Sequence, residues 1–149
     1  MKFGLIGLLM LAAAPSALAA ENPPAIPYDF DVNFLKMPQN MEAADVLSKQ
    51  GIEAELIDLR TLRPLDTATV VDSVMKTNRI VTVEQGWPIC SIGSEIAAAI
   101  VDQAFDYLDA PPLRVAGKDV PMPYAANLEK LALPNVGEVV AAVKAVCYK

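Results

Sequence analysis

Seven charged or aromatic side chains stand at or just after the ends of three short apolar runs, where they could do chemistry together. They are Asp58, Arg60, Arg63, Glu84, Trp87, Lys118 and Asp119. Carboxylates beside an arginine could perform acid–base work next to an anion-binding clamp. A tryptophan there could stack on a ligand. The same residue types also form ion pairs that fix loops or face another subunit, and the tryptophan could instead anchor a core edge or an interface. We favour these structural roles, because no nucleophile and base stand at a diagnostic spacing.

The three apolar runs must position these side chains. They cover residues 54–59, 79–84 and 113–116, and they have the length and apolar character of buried strands. The segments between them show helical periodicity, so strands and helices alternate along the chain. This order predicts an α/β fold in which helices cover both faces of a parallel sheet. The carboxyl ends of parallel strands meet at one edge, and we expect the seven side chains there.

Four helices are predicted from apolar spacing and from signals at their ends. They start near residue 41, at residue 67, near residue 91 and after residue 135. Asp66 is a good N-cap for the second helix, and Asn135 with Glu138 has the spacing of a capping box for the last. Gly93, near the start of the third helix, either cradles an anion or allows close packing on the sheet. Packing is favoured, because no longer phosphate-binding motif accompanies this glycine.

The composition is that of a folded globular chain. The sequence has 149 residues, of which 54% are apolar and 20% are charged, enough to build a hydrophobic core. Its net charge of −6 argues against nucleic-acid binding as a main role, because no basic stripe is present to neutralise phosphates. A basic protein partner would suit this charge better.

The residue types exclude several catalytic chemistries. The chain has no histidine, which removes serine–histidine and cysteine–histidine catalysis as well as histidine-ligated zinc. Cys90 and Cys147 are too far apart for a CxxC redox or zinc motif. We interpret both cysteines as small buried apolar side chains, and the sequence leaves open whether they could pair.

The first forty residues differ in character from the rest. Residues 1–20 have a charged start, an apolar core and a small-x-small site, which predict a secretory signal peptide; an uncleaved helix is the alternative. No membrane span is expected after cleavage. Residues 21–40 are proline-rich and are predicted to form an extended arm. Within this arm, residues 26–38 weakly resemble the start of secreted β-propeller proteins with NHL repeats.

Residues from about 41 to 149 carry a more specific resemblance. It rests on residues 58–66, 73–79, 81–88 and 117–124. The Arg-Pro-x-Asp loop at residues 63–66 is shared across the transketolase C-terminal domain family. The sequence Asp-Val-Pro-Met-Pro-Tyr at residues 119–124 narrows the resemblance to the C-terminal domain of pyruvate dehydrogenase β subunits, and residues 125–129 suggest a bacterial member.

This resemblance implies a non-catalytic assembly or docking domain of an α2β2 enzyme. The implied partners are the pyruvate dehydrogenase α subunit, a second β subunit and, in some members, dihydrolipoyl acetyltransferase. The implied parent reaction is the oxidative decarboxylation of pyruvate with acetyl transfer to lipoyl groups, which uses thiamine diphosphate and magnesium. Because the family places its catalytic and cofactor residues in the α subunit and the preceding β-subunit domain, we expect none in this chain. The alternative is a secreted stand-alone domain that binds a small anion or a protein.

The resemblance also implies that the sheet lacks its first strand, because the matching part starts at the first helix. A parallel sheet short of one strand exposes unpaired N–H and C=O groups, so we expect marginal stability unless residues 21–40 supply it. Their prolines disfavour that substitution. The signal peptide predicts secretion or the periplasm, whereas the family predicts the bacterial cytoplasm. A fused or misjoined reading frame, with its join near residues 39–41, is our hypothesis for this conflict.

Overall fold

A parallel four-stranded sheet organises the computed structural model, which describes residues 2–6 and 38–148. The strands are β1 (Lys2–Ile6), β2 (Glu53–Ile57), β3 (Ile80–Val83) and β4 (Leu113–Val115). Their spatial order is β2-β1-β3-β4, and each neighbouring pair is parallel. The predicted α/β class with a parallel sheet is confirmed.

The predicted helices are present, and their end signals work as expected. The helices are α1 (Pro38–Ser48), α2 (Thr67–Thr77), α3 (Ile92–Ala104), α4 (Ala126–Ala132) and α5 (Val136–Val146), and a 3-10 turn (Phe105–Tyr107) follows α3. Asp66 accepts a hydrogen bond from the Thr69 amide at the start of α2. Asn135 and Glu138 form the predicted capping box of α5. No helix among the described residues is long and apolar enough to cross a bilayer.

One helix begins earlier than predicted, and one helix was not predicted. α1 begins at Pro38, three residues before Met41, since proline is well tolerated in the first turn of a helix. α4 was not predicted at all. This helix has seven residues, lacks a side-chain cap and buries only Ala132, so the sequence carries neither an end signal nor an apolar stripe for it.

Helices cover both faces of the sheet, with an apolar core on each. α1 and α5 pack together on one face, where Leu47 and Val143 are fully buried. α2 and α3 pack on the other face, around Val74. The adjacent residues Ile80 and Val81 of β3 belong to opposite cores, as alternate residues of a strand must.

The sheet has a strand where the sequence analysis expects none. β1 lies between β2 and β3, with Leu5 opposite Leu56 on one side and opposite Val81 on the other. The prediction of a sheet that lacks its first strand is therefore wrong, and residues 2–6 rather than residues 21–40 form that strand. The physical reason is that two facing strand edges with unpaired backbone groups can be satisfied by a short apolar run from elsewhere in the chain.

The other predictions for the N-terminal region fall mainly outside the described residues. The predicted signal peptide, residues 1–20, is described only at Lys2–Ile6. The proline-rich arm, residues 21–40, is described only at residues 38–40, where it begins α1. Both assignments, and the resemblance of residues 26–38 to NHL-repeat proteins, stay predictions.

The two cysteines have different environments. Cys147 is buried at the end of α5, and its thiol donates to the Val143 carbonyl oxygen at 2.6 Å. Cys90 is exposed. The interpretation as a buried apolar side chain is confirmed for Cys147 and is wrong for Cys90, which lies in the loop before α3.

Candidate functional site

The loops that leave β3 and β4 lie against each other at the carboxyl edge of the sheet. The Gly117 amide donates to the Gly86 carbonyl oxygen at 2.9 Å. The Trp87 indole N–H donates to the Val120 carbonyl oxygen, also at 2.9 Å. These two hydrogen bonds join the loops into one surface.

The seven predicted side chains divide between two places along this edge. Glu84, Trp87, Lys118 and Asp119 lie on the adjoining loops after β3 and β4. Asp58, Arg60 and Arg63 lie on the loop after β2. Since β1 separates β2 from β3 in the sheet, the two sets do not come from neighbouring strands, and no ion pair joins them among the described residues.

Asp58 and Arg60 form a local ion pair. The Arg60 Nε lies 2.7 Å from Asp58 Oδ2, and the Asp58 side chain is 1% exposed whereas that of Arg60 is 68% exposed. Burial raises the pKa of Asp58, and the charge and hydrogen bond of Arg60 oppose that rise. Asp58 Oδ1 has no hydrogen-bond partner among the described residues. Because Arg60 already pairs with the Asp58 carboxylate, the pair supports a structural role better than a role in anion binding.

Lys118 also has a carboxylate partner. Its ammonium group contacts Glu138 of the α5 capping box, and its amide donates to the Ala132 carbonyl oxygen at 2.8 Å. The hydrogen bond from Lys118 is the main cause that lowers the pKa of Glu138. Lys118 therefore ties the loop after β4 to α4 and α5. Arg63 and Asp119 are exposed and form no ion pair with a described residue.

Glu84 is a buried carboxylate at the end of β3. Its Oε1 accepts a hydrogen bond from the Gly93 amide at 3.2 Å. A Cβ atom at Gly93 would lie 2.5 Å from Glu84 Oε1 and 2.7 Å from Thr82 Oγ1. The packing interpretation of this glycine is confirmed. Its amide already donates a hydrogen bond to the Glu84 carboxylate.

The start of α3 borders an open depression of about 470 Å³. Two of its polar lining residues bond internally, because the Ser91 hydroxyl accepts from the Ser94 amide at 3.3 Å as the helix cap. Cys90 and Glu95 also line it. Arg114, on β4, donates to the Pro88 carbonyl oxygen at 2.8 Å and to the Ser94 hydroxyl. These contacts brace the loop before α3, and they leave the depression without a cation turned towards a ligand.

Exposed apolar side chains are the more informative feature of this edge. We call Trp87, Ile89, Val120, Met122 and Tyr124 the loop surface. Trp87 is 56% exposed and Ile89 is 69% exposed, while Tyr124 is fully exposed. The hydrogen bond between Trp87 and Val120 brings the two loops together, and exposed apolar patches mark sites of interaction with other molecules. Only Trp87 among them was predicted as a site residue. Val120 and Met122 alternate with prolines in a segment that cannot be a central strand, and this pattern predicts a loop but not the exposure of its apolar side chains.

α4 extends the apolar character beyond the loop surface. It begins two residues after Tyr124, and its Leu128 and Leu131 are 48% and 70% exposed. No group of three or more histidine, cysteine, aspartate or glutamate side chains that could hold a metal ion occurs among the described residues. The exposed apolar side chains of the loop surface and of α4 fit contact with a macromolecule.

Comparison with known proteins gives a consistent family. A family model described as transketolase, C-terminal domain, matches residues 35–139. A pyruvate dehydrogenase E1 component subunit beta from Rhizobium meliloti (strain 1021) is 67% identical over 113 residues, which are 76% of this chain and 25% of that protein. The mitochondrial pyruvate dehydrogenase E1 component subunit beta-2 of Oryza sativa subsp. japonica is 57% identical over 109 residues, 73% of this chain and 29% of that protein.

A solved structure shares the fold. A chain of a split gene transketolase, described as an inactive beta4 tetramer, matches with a TM-score of 0.66 and 22% identity. The match covers 99% of this chain and 38% of that one. The chain thus spans about a quarter to two fifths of the length of these relatives.

Proposed function

The chain belongs to the transketolase C-terminal domain family, and on that premise we propose that it is the assembly and docking domain of a pyruvate dehydrogenase β subunit. The parent reaction would be the thiamine-diphosphate-dependent oxidative decarboxylation of pyruvate, with acetyl transfer to lipoyl groups. In this proposal the chain contributes contacts between subunits and no reacting group. The identity of 67% to the Rhizobium meliloti β subunit supports the choice of enzyme.

The observation that carries the proposal is the loop surface. Five large apolar side chains are exposed on two loops, and hydrogen bonds between those loops hold them together. An aromatic side chain that is fixed at its polar end and exposed at its apolar face is typical of an interface anchor. We propose that this surface contacts the α subunit or the second β subunit.

The residues present do not fit a site for thiamine diphosphate and magnesium. A diphosphate needs several free cationic or amide donors that converge on it. Arg60 and Lys118 are engaged by Asp58 and Glu138, and the Gly93 amide is engaged by Glu84. Of the three predicted cations, only exposed Arg63 has no ion pair with a described residue. We therefore assign this chain no step of the parent reaction. The same pairing disfavours the alternative of a stand-alone anion-binding domain.

Charge supports a second contact in the same assembly. The net charge of −6 suits a basic partner, and dihydrolipoyl acetyltransferase is the partner that the family resemblance suggests. Binding that depends on such charges weakens as salt is added, because salt screens exposed charges. Contact through the apolar loop surface should be much less sensitive to salt.

Co-purification tests the proposal. The tagged full chain is co-expressed with the α subunit that partners the Rhizobium meliloti β subunit, and separately with the acetyltransferase of that enzyme. We expect the chain to retain the α subunit at both low and high salt. A chain that retains neither the α subunit nor the acetyltransferase would contradict the proposed function.

A further inference from the structure

We propose that the gap between β2 and β3 is a strand-acceptor site, which binds an extended apolar peptide segment parallel to both strands and is filled here by Lys2–Ile6. In chemical terms the ligand is a short peptide with free backbone N–H and C=O groups and apolar side chains. This inference does not depend on the proposed function.

Backbone pairing defines the site on both sides. β1 pairs with β2 over five residues, from Lys2 opposite Glu53 to Ile6 opposite Ile57. It pairs with β3 over three residues, from Gly4 opposite Ile80 to Ile6 opposite Thr82. β2 and β3 do not pair with each other. Without an occupant, both strands would present unpaired backbone groups towards the same gap, which is costly in a covered sheet.

The gap is covered by the domain, whereas its occupant lies outside the family match. α2 contacts β1, and the apolar cores on the two faces include residues of both β2 and β3. Lys2–Ile6 lies outside residues 35–139, which the family model matches. The occupant and the walls of the site therefore belong to different parts of the chain.

The occupant is also distant in sequence from the strands that it joins. Residues 7–37 separate β1 from α1, so no tight turn dictates the pairing of β1 with β2. Closing a longer loop costs little more than closing a short one. Pairing must therefore come from the site and from the segment itself, which are the conditions under which a free peptide can replace a tethered one.

After Lys2 the segment reads Phe-Gly-Leu-Ile, which is an uninterrupted apolar run. Strands buried on both faces are near-continuous apolar runs rather than alternating ones. The same run is part of the predicted signal peptide, residues 1–20. Removal of those residues would remove β1, so one molecule cannot both lose the predicted signal peptide and keep its own segment in this sheet.

Exchange of the segment tests the proposal. A specific protease site is inserted between Ala20 and Glu21 of the full chain, which is purified folded and then cleaved. We expect residues 1–20 to co-elute with the remainder during size-exclusion chromatography. We also expect a fluorescent peptide of residues 1–8, with two added lysines for solubility, to exchange into the site and bind saturably.

A matched peptide with Leu5→Pro is the control, because proline removes a ladder hydrogen bond and disrupts pairing in a central strand. It should bind at least about tenfold more weakly, which corresponds to about 1.4 kcal/mol. Equal binding of the two peptides, or no binding of either, would overturn the proposal.

Substitution in the uncut chain gives a second, independent readout. Leu5→Pro should lower the melting temperature of the full chain. Leu5→Ile at the same position keeps the backbone N–H group, and it should have a much smaller effect. Equal effects of the two substitutions would also overturn the proposal.

Discussion

Glu84, Thr82 and Gly93 meet where the start of α3 crosses the end of β3. Glu84 and Thr82 are buried, and the Thr82 hydroxyl has no hydrogen-bond partner among the described residues. The Gly93 amide donates a hydrogen bond to Glu84 Oε1. The sequence could indicate that Gly93 packs closely, because it lies at a helix start without a phosphate-binding motif. It could not indicate which side chains it meets, because they lie on another element.

Gly93→Ala should destabilise the fold. Alanine is ordinarily the better helix former, but its Cβ would lie 2.5 Å from Glu84 Oε1 and 2.7 Å from Thr82 Oγ1. Overpacking of this kind costs about 1–3 kcal/mol. Urea unfolding measures the free-energy change, with Ala98→Ser at an exposed position of α3 as control. A variant as stable as the parent would show that the close approach is not present in solution.

The ion pair of Lys118 with Glu138 should make part of the stability dependent on pH. Lys118 lowers the pKa of Glu138 below its usual 4.5 in the folded state. The stabilisation is therefore present above pH 4.5 and is lost as the pH falls through the lowered pKa of the folded state. Both side chains are partly exposed, so the contribution is below about 1 kcal/mol.

Lys118→Met tests this dependence. The difference in unfolding free energy between pH 7 and pH 3 should be smaller in the variant than in the parent. Lys130→Met, on exposed α4, should leave that difference unchanged. An equal loss of unfolding free energy at both pH values in Lys118→Met would contradict this prediction.

At the scale of elements, short-range signals explain what could be predicted. α2 and α5 were predictable because Asp66, Asn135 and Glu138 satisfy the first backbone amides of each helix. β3 was predictable because four consecutive residues are apolar or β-branched, and all four are buried. The pairing of β1 was not predictable, since Lys2–Ile6 fits an export signal and a buried strand equally well. Pairing with the edges of β2 and β3, which are distant in sequence, is what distinguishes the strand from the export signal.

Asn135→Ala should destabilise α5 and, with it, the core that α5 shares with α1. The Asn135 side chain accepts a hydrogen bond from the Glu138 amide at 3.0 Å, and loss of such a cap costs about 1 kcal/mol. Asn127→Ala makes the same change at an exposed position of α4 and should stay within about 0.5 kcal/mol of the parent. Thermal and urea unfolding measure both variants. Equal effects would show that the cap contributes nothing of its own.

At the scale of the whole molecule, exposed apolar side chains and net charge are the features that a partner could recognise. The sequence indicated the family and the negative charge, and it identified Trp87. It did not indicate that Trp87 shares one surface with Val120 and Tyr124, because that depends on the contact between the loops after β3 and β4. It also suggested a polar crevice, whereas two of the three cations predicted there, Arg60 and Lys118, are held in ion pairs.

Substitutions on the loop surface should weaken assembly without unfolding the chain. Trp87→Ala and Tyr124→Ala each remove an exposed aromatic side chain, and loss of an interface anchor costs about 2 kcal/mol or more. Phe105→Ala is the matched control: Phe105 is 65% exposed but lies in the turn after α3, close to the start of β3. Sedimentation of the chain with the α subunit gives the affinities. Equal weakening by all three variants would place the contact elsewhere.

The most direct test of assembly through the loop surface is hydrogen–deuterium exchange of the full chain with and without the pyruvate dehydrogenase α subunit. Residues 85–90 and 117–124 should exchange more slowly in the complex, because their backbone would then be covered. Residues 105–108 should exchange at the same rate with and without the α subunit. A complex in which residues 85–90 and 117–124 exchange as fast as in the free chain would contradict the account, and so would the absence of any complex.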